Sequence, residues 1–123
     1  MKQSILIIDD DPILCKALVE KFTREGFVVA FKQQSQDGLE YALQNHPDVI
    51  LLDIIMPVMD GLDVLRSLRK DTWGKEAKII MLTNLSDEEH INTSFDYHVD
   101  GFLVKSNWKI EDVVTYVRKV LAA

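Results

Sequence analysis

A chain of 123 residues with 47% hydrophobic and 28% charged side chains has the composition of one globular domain, large enough for a core of its own and too small for two. Its formal net charge of -6 argues against a general binder of nucleic-acid backbone, which needs a basic stripe. No apolar run approaches the roughly 20 residues that span a bilayer, and the apolar stretch at the start is too short for a signal peptide. The single cysteine, Cys15, cannot form an internal disulfide and reads as a small buried hydrophobe. No membrane insertion, no direct nucleic-acid contact and a cytoplasmic location are therefore expected.

Short apolar runs recur along the chain, each followed by a polar turn and a helix-period stretch. Ser4–Ile8 is the first strand, and Asp11 followed by Pro12 predicts an N-cap with proline in the first turn of a helix. Leu14, Leu18 and Phe22 form one face of that helix, which Gly26 ends. Phe27–Phe31 is a weaker second strand. Ser35 is placed to cap a second helix carrying Leu39, Ala42 and Leu43, up to about Asn45.

"DVILLD", residues 48–53, is continuously apolar between its acids, as a central parallel strand buried on both faces reads. Asp60 caps a helix with Leu62, Leu65 and Leu68. Lys78–Leu82 is the fourth strand, and Ser86 with Glu89 forms a capping box for the fourth helix. That helix holds weak helix formers at Asn92, Thr93, Ser94 and Asp96, with Ile91 and Phe95 as its visible anchors. Gly101–Val104 is the fifth strand, and Ile110–Leu121 the last helix, with Val113, Val114, Val117 and Val120 inward.

Five strands alternating with five helices predict an α/β domain with a doubly wound five-stranded parallel sheet, flavodoxin-like, in the order 2-1-3-4-5. Ligands of such sheets bind beyond the carboxyl ends of the strands, where the winding reverses. Asp9 and Asp10 end the first strand, Asp53 the third, Thr83 the fourth and Lys105 the fifth. Each alone has an ordinary reading as a turn residue, a cap or a solvated edge group. Together they place three carboxylates, a hydroxyl and an ammonium at one crevice. Clustered carboxylates suit a hard cation such as Mg²⁺, and the other two groups suit an anion beside it, which is the equipment of phosphoryl transfer.

The motifs "LIIDDDP", "LLDIIMPVMDG", "IIMLTN" and "DGFLVK", in this order, resemble the receiver domain of two-component response regulators over essentially the whole chain. The separations from Asp10 to Asp53, Thr83 and Lys105, successively 43, 30 and 22 residues, are similar to that family's. The resemblance implies a receiver domain over residues 1–123, working as a switch rather than an enzyme, and with only two alanines after the last helix no output domain is expected. It makes Asp53 the phosphoacceptor, taking a phosphoryl group from a histidine kinase or phosphotransfer protein and signalling to a downstream protein target. Asp10, Asp53 and the backbone carbonyl of Ile55 would hold Mg²⁺ directly, and Asp9 through a water. Thr83 and Lys105 would grip phosphoryl oxygens, and Phe102 would be the switch aromatic that turns inward when Thr83 engages. Pro57 and Gly61 suit a rigid turn holding the Ile55 carbonyl toward the metal. Asp11 is left as a helix cap rather than a ligand.

The chain departs from the family pattern in several places. Ser106 follows Lys105 where many receivers have a proline in a cis peptide; because a cis non-proline bond costs about 2.5–4 kcal/mol, a trans Lys105–Ser106 bond is expected. His98 stands where a glycine usually ends the fourth helix, so it is expected at positive φ and not as a metal ligand. His46 and His90 read as surface residues, and Trp73 and Trp108 as partly buried loop aromatics. Ile55 and Leu85, two residues past Asp53 and Thr83, are apolar where polar side chains can help position an attacking water, which implies slow loss of the phosphoryl group. Asn84 replaces a small residue beside the site. The alternative function is a Mg²⁺-dependent aspartyl-phosphate phosphohydrolase, but such enzymes carry a second acid at the Ile55 position. A nucleotide or flavin binder would need a phosphate-cradling loop where "DDDP" stands. A receiver-like scaffold that is never phosphorylated is disfavoured because all five site positions are filled.

Overall fold

Period-two alternation inside the apolar runs splits the core into two halves, one on each side of a sheet. The computed structural model describes residues 2–83 and 88–123, and the side chains of all of these except 88–91. In β1 (Ser4–Ile8) and β3 (Val49–Asp53), Leu6, Ile8, Ile50 and Leu52 point to one side, where α2 (Ser35–Asn45) and α3 (Gly61–Lys70) supply Leu39, Ala42, Leu62, Leu65 and Leu68. Ile5, Ile7, Val49 and Leu51 point to the other side, against Leu18 and Phe22 of α1 (Pro12–Arg24) and Val113 and Val117 of α5 (Ile110–Ala122). β2 (Val28–Lys32), β4 (Ile79–Thr83) and β5 (Gly101–Val104) complete a parallel sheet in the order β2-β1-β3-β4-β5. The expected flavodoxin-like plan is the one observed. α4 (Glu88–Phe95) runs beside α3. Among the described residues no helix is long and apolar enough to cross a membrane.

The helix starts follow their caps. The Asp11 carboxylate accepts the N–H groups of Ile13 and Leu14 at 3.0 and 3.3 Å, with Pro12 opening α1. Asp60 and Asp63 exchange side-chain and backbone bonds as a capping box at α3. Gly26, at φ 94°, follows the last turn of α1 in a conformation that glycine adopts without strain. His98 has φ 58°, as its place in the pattern requires, and the Lys105–Ser106 peptide is trans. Cys15 is buried and unpaired, His46 is exposed, and both tryptophans are half-buried. His90, Ser86, Glu89, Ile91, Asn84 and Leu85 carried expectations whose side chains lie outside the described residues.

Some expectations need correction. β2 begins one residue later than the sequence suggests, because Phe27 is buried edge-on against Phe22, with ring centroids 5.1 Å apart, and belongs to the turn. β4 likewise begins at Ile79. Lys78 is instead turned to the end of α5, where its Nζ donates to the Val120 and Ala123 carbonyls at 2.8 and 2.9 Å. Ser35 does not cap α2: it is the first helical residue, Gln34 occupies the cap position, and no side chain bonds there. Leu43 is about a third exposed rather than fully inward, and Phe95 is more than half exposed, meeting Phe102 edge-on.

One arginine organises the turn before β5. The Arg69 guanidinium donates to the carbonyls of Gly74, Ala77, Tyr97 and His98 at 2.7–2.9 Å, fastening both the α3–β4 and α4–β5 connections to α3. Replacing Arg69 with Met should lower stability by about 2 kcal/mol, because several partly buried carbonyls lose a charged donor. Urea unfolding with an unchanged m-value would show this, and a midpoint equal to wild type would contradict it.

Candidate functional site

Parallel pairing brings the strand ends to one edge of the sheet. Asp53 closes β3 opposite Leu82, and Thr83 closes β4 opposite Val104, one residue before Lys105. Asp9 and Asp10 leave β1 immediately beside them. Backbone bonds fix these ends: Asp9 N–H donates to Lys32, Ile54 N–H to Leu82 and Lys105 N–H to Thr83.

The three carboxylates each bring an oxygen within 4.8 Å of the others. Asp9 and Asp53 are buried, whereas Asp10 is exposed and opens the cluster to solvent. Lys105 is the counter-charge, with Nζ 2.6 Å from Asp9 Oδ2 and 3.3 Å from Asp53 Oδ1. The contact with Asp9 is a close ion pair, and among the described residues Lys105 is the partner of this buried oxygen. The other Asp9 oxygen accepts the Asp11 N–H at 2.9 Å, and the Cys15 thiol donates to the Asp9 carbonyl at 3.3 Å. Thr83 is buried at the same edge.

One ammonium does not neutralise three carboxylates. Burial, followed by the charge of Asp9, pushes the Asp53 carboxyl up to about 7, with Lys105 offsetting part of the rise. Burial alone would lower the Lys105 pKa, but its contacts with Asp9 and Asp53 outweigh that and raise it. The surplus of carboxylate oxygens over the one ammonium fits a hard divalent cation with oxygen ligands.

The surroundings include residues whose part the sequence did not reveal. A Cβ on Gly61 would lie 2.1 Å from the Asp53 carbonyl oxygen, so only glycine lets α3 start this close to the site. Its N–H donates to the Ile54 carbonyl at 2.7 Å. The combination "DG" at the start of α3 carries this signal, beyond the cap at Asp60 and the turn at Gly61 that the sequence suggests. Ile55 projects outward and is 58% exposed, with Ile13 and Val58 also exposed at this end of the sheet. Phe102 is half-buried on β5, packs against the α3 side of the core and meets Phe95 edge-on, with centroids 4.9 Å apart.

A doubly wound sheet whose carboxyl edge gathers acids from β1 and β3, a hydroxyl from β4 and a lysine after β5 is the arrangement expected of a receiver domain. The family model described as "Response regulator receiver domain" matches residues 5–118, and the chain belongs to that family. It is 33% identical over 118 residues to the response regulator ArlR of Staphylococcus haemolyticus, covering 96% of this chain and 52% of that protein. Its match to ArlR of Staphylococcus aureus is 32% over 117 residues, again 52% of that protein. The chain thus spans about half the length of these curated relatives. In fold it is similar to the chemotaxis response regulator CheY4 of Vibrio cholerae, with TM-score 0.90 and 24% identity over 98% of this chain and 99% of that one. It is also similar to a CheY-like receiver domain protein of Methanospirillum hungatei, with TM-score 0.92 and 24% identity over 99% and 95% of the two chains.

Proposed function

We propose that this receiver domain accepts a phosphoryl group onto Asp53 in a Mg²⁺-dependent reaction and signals through contact with a protein target. The observation that carries this reading is the meeting of three carboxylates within 4.8 Å, two of them, Asp9 and Asp53, bridged by Lys105. Asp10, Asp53 and the Ile55 carbonyl would hold the cation directly, and Asp9 through a water. When bound, Mg²⁺ supplies the positive charge that keeps Asp53 ionised and offsets the charge on the transferring phosphoryl oxygens. An Asp53 carboxylate oxygen attacks phosphorus, the phosphorus–nitrogen bond to the donor imidazole breaks, and the imidazole leaves with that electron pair. Lys105 then has a phosphoryl oxygen to pair with, and the Thr83 hydroxyl donates to another. Asp9 remains at the buried wall of the site, held by the Asp11 N–H.

Phosphorylation adds about -1.5 to -2 charge, by analogy with phosphoserine, and gives Thr83 and Lys105 a phosphoryl group to engage. That difference in contacts biases a two-state equilibrium in which Phe102 turns inward with Thr83. The donor is a histidine kinase or phosphotransfer protein, for which exposed Ile13, Ile55 and Val58 offer an apolar docking rim beside the acids, and the setting is the cytoplasm. The phosphohydrolase alternative is less well supported, because exposed, apolar Ile55 stands where its second acid would be.

Incubation with Mg²⁺ and a small acyl phosphate, followed by intact mass measurement, tests this reading. One phosphoryl adduct per chain is expected; repeated turnover of a phosphate ester without an adduct would point to the hydrolase instead. The apolar side chain at Ile55 also predicts a long-lived adduct. Ile55→Asn, which offers an amide to orient an attacking water, should shorten the adduct lifetime severalfold in a decay measurement, and an unchanged lifetime would refute this role.

A further inference from the structure

The segment joining β3 to α3, residues 54–60, contains a strained residue. Val58 has φ 70°, in the left-handed region, which costs a β-branched residue about 1–3 kcal/mol. Its side chain is fully exposed, so packing does not compensate. Such a conformation persists only where neighbouring contacts fix it. Met59 N–H donates to the Pro57 carbonyl at 2.8 Å, closing a tight turn around Val58. A second contact arrives from α2: the Ser35 hydroxyl donates to the Met59 carbonyl and lies 3.4 Å from Met56 Sδ.

Ser35 is 3% exposed and stands at the first position of α2, one residue past the cap position. Here it is turned to another element. Its acceptor is the carbonyl one residue after Val58, in the segment that begins at Asp53 and carries the Ile55 carbonyl.

We propose that Ser35 is a positioning residue for the cation site: its hydroxyl clamps the Met59 carbonyl, holds Val58 at positive φ, and so sets the path of the segment that bears Ile55. This rests on the Mg²⁺-dependent reading above. Without the clamp, Val58 relaxes to negative φ, the peptide groups around it rotate, and the Ile55 carbonyl loses its fixed place. Glycine at position 58 carries no strain at φ 70°, so it removes the need for the clamp.

The test is a Mg²⁺ titration of the full chain followed by backbone amide resonances, with thermal unfolding in the absence of metal as a check on folding. The variants are Asp10→Asn, Ser35→Ala, Ser35→Cys and the double variant Ser35→Ala/Val58→Gly. Cysteine keeps the side-chain volume but is a weak donor, so it serves if the alanine variant does not fold. Both single Ser35 variants should bind Mg²⁺ about 3- to 10-fold more weakly, the range for one lost hydrogen bond. The double variant should recover to within about twofold of wild type, since glycine relieves the strain. Unchanged affinity in the single variants, or no recovery in the double variant, overturns the role of Ser35. Wild-type binding that is lost in Asp10→Asn but untouched at Ser35 overturns this inference alone, whereas a wild-type chain that binds no Mg²⁺ overturns the underlying reading with it.

Discussion

An Asp53→Asn variant is expected to take up no phosphoryl group from a small acyl phosphate and Mg²⁺, under conditions in which the wild-type chain takes up one. An amide in place of the carboxylate removes both the nucleophile and one cation ligand. The neighbouring acids are poor substitutes. Asp9 is buried, held by the Asp11 N–H and engaged by Lys105 at 2.6 Å. Asp10 is exposed and stands among the proposed direct ligands. Asp10→Asn should also abolish the adduct, through loss of metal. Asp11→Asn should leave it intact, because this side chain caps α1 and asparagine caps about as well. Intact mass distinguishes these outcomes, and an adduct of undiminished size in Asp53→Asn would contradict the assignment.

The same substitution should stabilise the metal-free protein at neutral and higher pH, by up to about 4 kcal/mol. The sign follows from where the proton resides. Burial and Asp9 move the Asp53 carboxyl from 3.8 to about 7 in the folded state. Between those values the folded chain holds a proton that the unfolded chain has released, so the stability contributed by Asp53 falls as pH rises from about 4 to about 7 and is level above that. Urea unfolding in a chelator should therefore show wild type and variant converging near pH 4 and diverging by pH 8. Mg²⁺ at pH 8 should restore wild type and do little for the variant. Equal pH slopes for the two proteins would contradict the account of a site strained by its own charges.

The architecture was legible because its determinants are local. Strands buried on both faces read as unbroken apolar runs, Asp11–Pro12 and Asp60 mark helix starts, and the crossover rule leaves few strand orders. The site residues were legible for the same reason: Asp9, Asp10, Asp53, Thr83 and Lys105 are strand-end residues, and the winding of the sheet decides where strand ends meet. What escaped depended on partners distant in sequence. A serine at a helix start reads as a cap whichever acceptor it meets, and the acceptor of Ser35 is 24 residues away. Phe95 has the spacing of an inward residue, but it packs on the edge of Phe102 and remains exposed. The close approach of Gly61 to the Asp53 carbonyl is set by how α3 meets β3, which no local pattern encodes.

Covalent trapping tests the central claim most directly. An aspartyl phosphate is an acyl phosphate, so borohydride reduces the modified residue to homoserine and leaves free carboxylates untouched. After exposure to Mg²⁺ and an acyl-phosphate donor, reduction and peptide sequencing by mass spectrometry should place homoserine at position 53, and none should form when Mg²⁺ is chelated. Homoserine at position 9 or 10, or none at any position under conditions that saturate the metal, would contradict the account.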